Sequence, residues 1–118
     1  MGIERRKCWR VKCNLPVKYS VVNLNWGGDY SVRESTILNI SMGGTRFVIN
    51  HHVATFDLFK LEISLPESPQ IKVLGEVKWA VRLKNKTYNL GIQFLRIADE
   101  DRERIKDYIL AKSTPEKT

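Results

Sequence analysis

The chain has no apolar stretch long enough to cross a bilayer. Its longest apolar runs, such as Val53 to Phe59, are short and broken by Asp57, whereas a span needs roughly 20 apolar residues. Cysteine is scarce: Cys8 and Cys13 stand five positions apart, which fits neither a C-x-x-C metal knuckle nor a disulfide framework, so reduced thiols are expected. The only histidines, His51 and His52, are adjacent, and adjacent side chains diverge, so no metal site is expected. The acidic residues Glu62, Glu76 and Asp99 to Asp101 read as solvated strand positions and a helix start. No nucleophile with a matching base is visible. An enzyme is therefore not expected, and neither catalytic residues nor a cofactor are assigned. The opening MGIERRKCWR has basic residues but no apolar region after them, so it is not read as a secretory signal, and a cytoplasmic location is expected.

What is present fits one folded domain. The 118 residues are 42% hydrophobic and 28% charged, enough for one ordinary core and too few for two. The formal net charge of +7 points to an anionic partner. Arg5, Arg6, Lys7, Arg10, Lys12 and Lys18 against Glu4 concentrate that excess in the first eighteen residues. Such a cluster serves phosphate, a membrane surface or nucleic acid equally, or acts only as a solubilising tail.

From Cys13 onward the dominant period is two: Leu15, Val17, Tyr19 and Val21 alternate with polar neighbours, as in a half-buried strand. After a turn signal at Trp26-Gly27-Gly28-Asp29, further strands are expected from about Tyr30 to Ile40, Thr45 to Ile49 and Phe59 to Leu65. The longest pattern follows, with Ile71, Val73, Gly75, Val77, Trp79, Val81 and Leu83 assigned to one face. Tyr88, Leu90, Ile92 and Phe94 make a sixth strand. Six strands on short connections predict an antiparallel barrel or sandwich. Between Ala98 and Lys112 the period changes: Ile105, Tyr108 and Ile109 fall at helical spacing behind the acidic first turn. One amphipathic helix is expected there, and residues 113–118 read as a frayed tail.

Two segments carry functional information: Arg5-Arg6-Lys7-Cys8-Trp9-Arg10 and Asn39-Ile40-Ser41-Met42-Gly43-Gly44. Together they resemble the paired motifs of the PilZ domain family. Its RxxxR corresponds to Arg6 and Arg10, and its [D/N]xSxxG corresponds to Asn39, Ser41 and Gly44. The strands at Gly75 to Trp79 and Tyr88 to Phe94 and the terminal helix look like the family as well. The resemblance implies an all-β fold with one C-terminal helix, a six-stranded antiparallel β-barrel of the PilZ split-barrel type. The corresponding division is a flexible basic arm over 1–12, a barrel over 13–97 and the helix over 98–112. The implied ligand is cyclic di-GMP.

The residue types suit that ligand. It offers two phosphodiester charges, guanine faces and guanine O6/N7 edges, and arginine serves all three by charge, stacking and a bidentate fork. Arg6 and Arg10 share a side whether the arm is extended or helical, so spacing leaves its conformation open. An arm that orders on the ligand is the expectation. Asn39 can hydrogen-bond a base edge or its own loop, and Ser41 can donate to a phosphate or pin the turn. Gly43 and Gly44 are expected to take positive φ and admit the ligand, or simply to make a tight turn. In the family the residue before RxxxR is associated with ligand count, so Arg5 implies an intercalated dimer of the ligand. Trp79, Tyr88 and Phe94 lie in phase with aliphatic neighbours and read as core, while Trp9 and Trp26 read as contact surface.

The expected function is a receptor that changes conformation on binding cyclic di-GMP and regulates an unidentified downstream protein. Membrane insertion is not expected. Two alternatives stand beside it: a single-stranded nucleic-acid binder, although nucleic acid is not the expected partner, and a PilZ-like adaptor working by protein contacts alone.

Overall fold

The computed structural model describes residues 10–22 and 31–113. Six strands precede one helix: β1 (Arg10–Val22), β2 (Arg33–Ser41), β3 (Gly44–Ile49), β4 (Leu58–Ile63), β5 (Ile71–Arg82), β6 (Tyr88–Ile97) and α1 (Asp99–Ser113). They close into a barrel in the order β1-β2-β3-β6-β5-β4, with every neighbouring pair antiparallel. Of the two architectures the period-two pattern allowed, the chain forms the barrel.

Strand β1 makes closure possible because it is long enough to serve two neighbours. It pairs with β2 from Arg10 to Tyr19 and with β4 from Val17 to Val22. Pro16 sits just before the β4 ladder begins, and its carbonyl accepts from the Ser64 N–H at 3.0 Å. Cys13, Leu15, Val17 and Tyr19 point inward and Lys12, Asn14, Pro16 and Lys18 outward, as the alternation requires.

The barrel interior is filled by Ile37, Ile40, Phe47, Phe59, Leu61, Ile63, Val77 and Leu90, all buried. Tyr19 stacks on Phe59 with ring centroids 5.2 Å apart and tilts against Phe47 at 5.5 Å. Truncating either phenylalanine would cost about 3–5 kcal/mol. Helix α1 packs on β1 and β2 through the buried Ile105 and Ile109. Asp99, Glu100 and Asp101 at its start and Lys112 at its end complement its dipole. Burial under the helix, beside Tyr108, pushes the Cys13 thiol above its usual range. Cys8 lies outside the described residues.

Three expectations need correction. The first strand starts at Arg10 rather than at Cys13, so the last motif arginine belongs to the sheet. The face assigned to β5 is interrupted: the ladder with β6 slips between Val77 and Trp79. One extra residue in a strand reverses every side chain after it, so Val77 is buried while Trp79 and Val81 are 41% and 51% exposed. Trp79 is therefore not a core residue, although Tyr88 and Phe94 do pack against the core. The two histidines diverge as expected, with His51 against Tyr19 and His52 edge-on to Tyr88. Among the described residues no cluster of three metal-ligating side chains occurs, and no helix is long and apolar enough to cross a membrane.

Candidate nucleotide site on the barrel wall

The two motifs lie about thirty residues apart in sequence and meet through one ladder. Antiparallel pairing of β1 with β2 sets Arg10 opposite Ser41 and Lys12 opposite Asn39. Across that ladder the Arg10 guanidinium donates to Asn39 Oδ1 at 2.8 Å. The bond ties the second arginine of one motif to the first residue of the other. Arg5 and Arg6 lie outside the described residues.

Ser41 is the hub of the β2–β3 connection. Its buried Oγ accepts from the Gly43 and Gly44 N–H groups, each at 3.2 Å, and donates to the Gly44 carbonyl at 3.3 Å. Of the two options for serine, the structure shows the one that pins the turn. Thr45, also buried, donates its hydroxyl to the Asn39 carbonyl at 2.8 Å and fixes the strand where β2 and β3 slip register. With Asn39 Oδ1 engaged by Arg10, its amide NH₂ has no acceptor among the described residues.

The glycines act differently from the expectation. Neither Gly43 nor Gly44 adopts positive φ. At Gly44 an added Cβ would come under 3.0 Å from the Ile92 carbonyl oxygen, so this glycine lets β3 run close beside β6. Gly43 has nothing within 4 Å of such a carbon and opens onto the cavity described next, while its carbonyl receives the Phe94 N–H at 2.8 Å.

These residues border a cavity of about 500 Å³ on the outer wall of β1, β2, β3, β6 and β5. Its size falls within the range of small-molecule sites. Arg10, Asn39, Ser41, Gly43 and Gly44 line one end. Four side chains that sequence reading did not select complete it: Arg46, Lys78, Trp79 and Gln93. Arg46 is held by a hydrogen bond to Asn89 Oδ1 at 3.1 Å. The Trp79 indole lies across Gly91, where any side chain would collide with it. Its outward position comes from the β5 slip, which period-two reading cannot see, although a glycine opposite a tryptophan was a usable signal. Three of the lining side chains are cationic and none is a carboxylate, so the cavity favours anions. An aromatic ring beside such charges is what a purine phosphate needs.

A family model for the PilZ domain matches residues 4–111. The chain belongs to the PilZ domain family. Several solved PilZ-like structures share the fold. Bacillus subtilis inhibitor of motility, MotI/DgrA, superposes with a TM-score of 0.79 at 19% identity, covering 97% of this chain and 54% of that one. The PilZ domain of Escherichia coli YcgR with c-di-GMP gives a TM-score of 0.65 at 14% identity, covering 92% of this chain and 91% of that one. The c-di-GMP complex of MrkH from K. pneumoniae gives 0.68 at 20% identity, covering 91% and 51%. This PilZ domain thus spans about half the length of MotI and of MrkH. No curated protein matches the chain in sequence. The family motif residues Arg10, Asn39, Ser41 and Gly44 all border the same cavity on the outer wall of the barrel.

Proposed function

We propose that this PilZ domain is a receptor for cyclic di-GMP, which it binds on the outer wall of the barrel and does not transform. The observation that carries the reading is the hydrogen bond from Arg10 to Asn39 across the β1–β2 ladder, at the edge of a cavity whose charged side chains are all cationic. In this reading Arg10 and Arg6 grip phosphate and guanine, with Arg5 adding charge for a second, intercalated copy. Trp79 is the stacking surface. Asn39 donates its NH₂, which has no acceptor among the described residues, to a guanine O6/N7 edge, because its oxygen already accepts from Arg10. Ser41 and Gly44 hold the turn, and Gly43 leaves room for the ligand. The family supports a binding domain, and the YcgR and MrkH structures were solved with the same dinucleotide.

Ligand binding then changes which partner the domain touches, by joining the basic N-terminal segment to the barrel wall. The downstream partner is a protein, met in the cytoplasm, and the process is of the motility, polysaccharide or virulence type.

The magnitudes require cooperation among these residues. Micromolar binding takes about 8 kcal/mol, whereas a charged hydrogen bond gives roughly 1.5–3 and a base stack roughly 1–3. Calorimetric titration with cyclic di-GMP, using GTP and a short RNA as controls, tests the reading. Saturable binding of the cyclic dinucleotide alone is expected, with two copies per domain and at least a tenfold loss in Arg6→Ala or Arg10→Ala. Tight RNA binding with a steep salt dependence would overturn it in favour of a nucleic-acid binder. A stoichiometry of one would remove the intercalated dimer.

A further inference from the structure

Phe56 combines an unfavourable backbone with an unburied side chain. It has φ of 75°, in the left-handed region that bulky residues avoid, and is 69% exposed. Its N–H donates to the Val77 carbonyl at 2.7 Å, while the Val77 N–H donates to the Asp57 carbonyl at 2.9 Å. Two residues thus face one across the approach to β4, a bulge whose left-handed position is ordinarily glycine. The loop is also closed by the Asp57 carboxylate, which accepts from the Ala54 N–H at 2.9 Å. None of these bonds uses the Phe56 side chain, and its exposed ring gains little from burial. Glycine would serve the fold better there.

What the ring does touch is Lys78. The ammonium lies 5.8 Å from the Phe56 centroid and 3.6 Å from Glu76 Oε1. Lys78 lines the cavity and occupies the point where the β5–β6 register slips. It lies on β5 and Arg10 on β1, at opposite ends of the run of strands β1-β2-β3-β6-β5 that the cavity crosses. The Lys78 side chain is 44% exposed, so its ion pair with Glu76 alone holds it weakly. A ring face adds a second restraint.

We infer that Phe56 is a positioning residue: with Glu76 it holds the Lys78 ammonium at the cavity rim, where Lys78 meets a phosphate at the end remote from Arg10. This rests on the cyclic di-GMP reading. A diester with two phosphates is matched by cations at both ends of the site, and a lysine restrained beforehand loses less rotamer freedom on binding. The left-handed backbone is then retained for ligand recognition rather than for stability.

The test uses the full chain with Phe56→Gly, Phe56→Trp, Lys78→Ala and the Phe56→Gly/Lys78→Ala double variant. Thermal unfolding and cyclic di-GMP calorimetry at low and high salt are the readouts. Phe56→Gly is expected to melt about 4 °C higher, yet to bind about fivefold more weakly with a shallower salt dependence. Phe56→Trp should keep the wild-type affinity. In the Lys78→Ala background the glycine substitution should change affinity less than about twofold. Unchanged affinity in Phe56→Gly, or an equal loss with and without Lys78, would overturn the inference, as would a lowered melting temperature. A wild type that fails to bind cyclic di-GMP would overturn the reading of the whole site and this inference with it, whereas a binding wild type indifferent to Phe56 overturns the inference alone.

Discussion

Alanine at Gly44 and at the adjacent Gly43 should have opposite consequences, although one motif contains both. At Gly44 the new Cβ would fall under 3.0 Å from the Ile92 carbonyl oxygen, 3.3 Å from its carbonyl carbon and 3.4 Å from Gln93 Cα. All three are backbone atoms of β6, directly across the ladder where Gly44 pairs with Gln93. No side chain can rotate away, so relief requires β3 and β6 to part. Overpacking of this kind costs about 1–3 kcal/mol, and each weakened ladder hydrogen bond adds about 1 kcal/mol. A loss of about 3 kcal/mol follows, a large share of the 5–15 kcal/mol typical of a domain. In urea, with a slope of about 2 kcal/mol per molar for a chain of this size, the midpoint should fall by about 1.5 M. At Gly43 the added carbon meets nothing within 4 Å and φ is not left-handed, so stability should stay within about 0.5 kcal/mol or rise slightly. That methyl would instead enter the cavity and weaken ligand binding. Equal destabilisation of the two variants, or a Gly44→Ala midpoint unchanged from wild type, would refute the assignment of Gly44 to strand packing.

Ser41→Ala should cost about 1–3 kcal/mol, because the buried Gly44 N–H and the partly buried Gly43 N–H both lose their acceptor; chemical denaturation measures it, and faster amide exchange at 43 and 44 locates it. Trp79→Ala should cost about 1–2 kcal/mol of stability, less than a fully buried tryptophan would, because the residue is 41% exposed and its indole covers Gly91, while reducing cyclic di-GMP affinity about tenfold by calorimetry. Burial and the nearby Arg33 charge hold His51 below its ordinary 6.5, with Tyr19 2.8 Å from its Nε2 and His52 beside it in sequence. The unfolded chain therefore takes up the proton first as pH falls. The stability tied to the neutral ring is complete above 6.5 and declines as pH drops below it toward the lowered folded value. Melting temperatures between pH 7.5 and 5.5 should show that decline, and His51→Gln should flatten it.

Much of the architecture was written in local order. The inward set Cys13, Leu15, Val17 and Tyr19 alternates without fault, and Ile105 and Ile109 mark the buried stripe of α1. Burial side depends on a period of two or 3.6 along one chain, so neighbours in sequence carry that information. Arg10, Asn39, Ser41 and the two glycines were likewise recognisable as motif residues from their own types and order. What they do was a different matter. Whether Ser41 faces a ligand or pins its turn depends on two N–H groups bent back toward it, and whether Gly44 is needed for φ or for space depends on how near β6 runs. Trp79 shows the limit most clearly: one slip between β5 and β6 turns it from the interior to the cavity wall. Register is a relation between strands far apart in sequence, set by closure of the whole barrel. Alternation along one strand carries no trace of it, so the composition of the cavity wall was decided only when the strands paired.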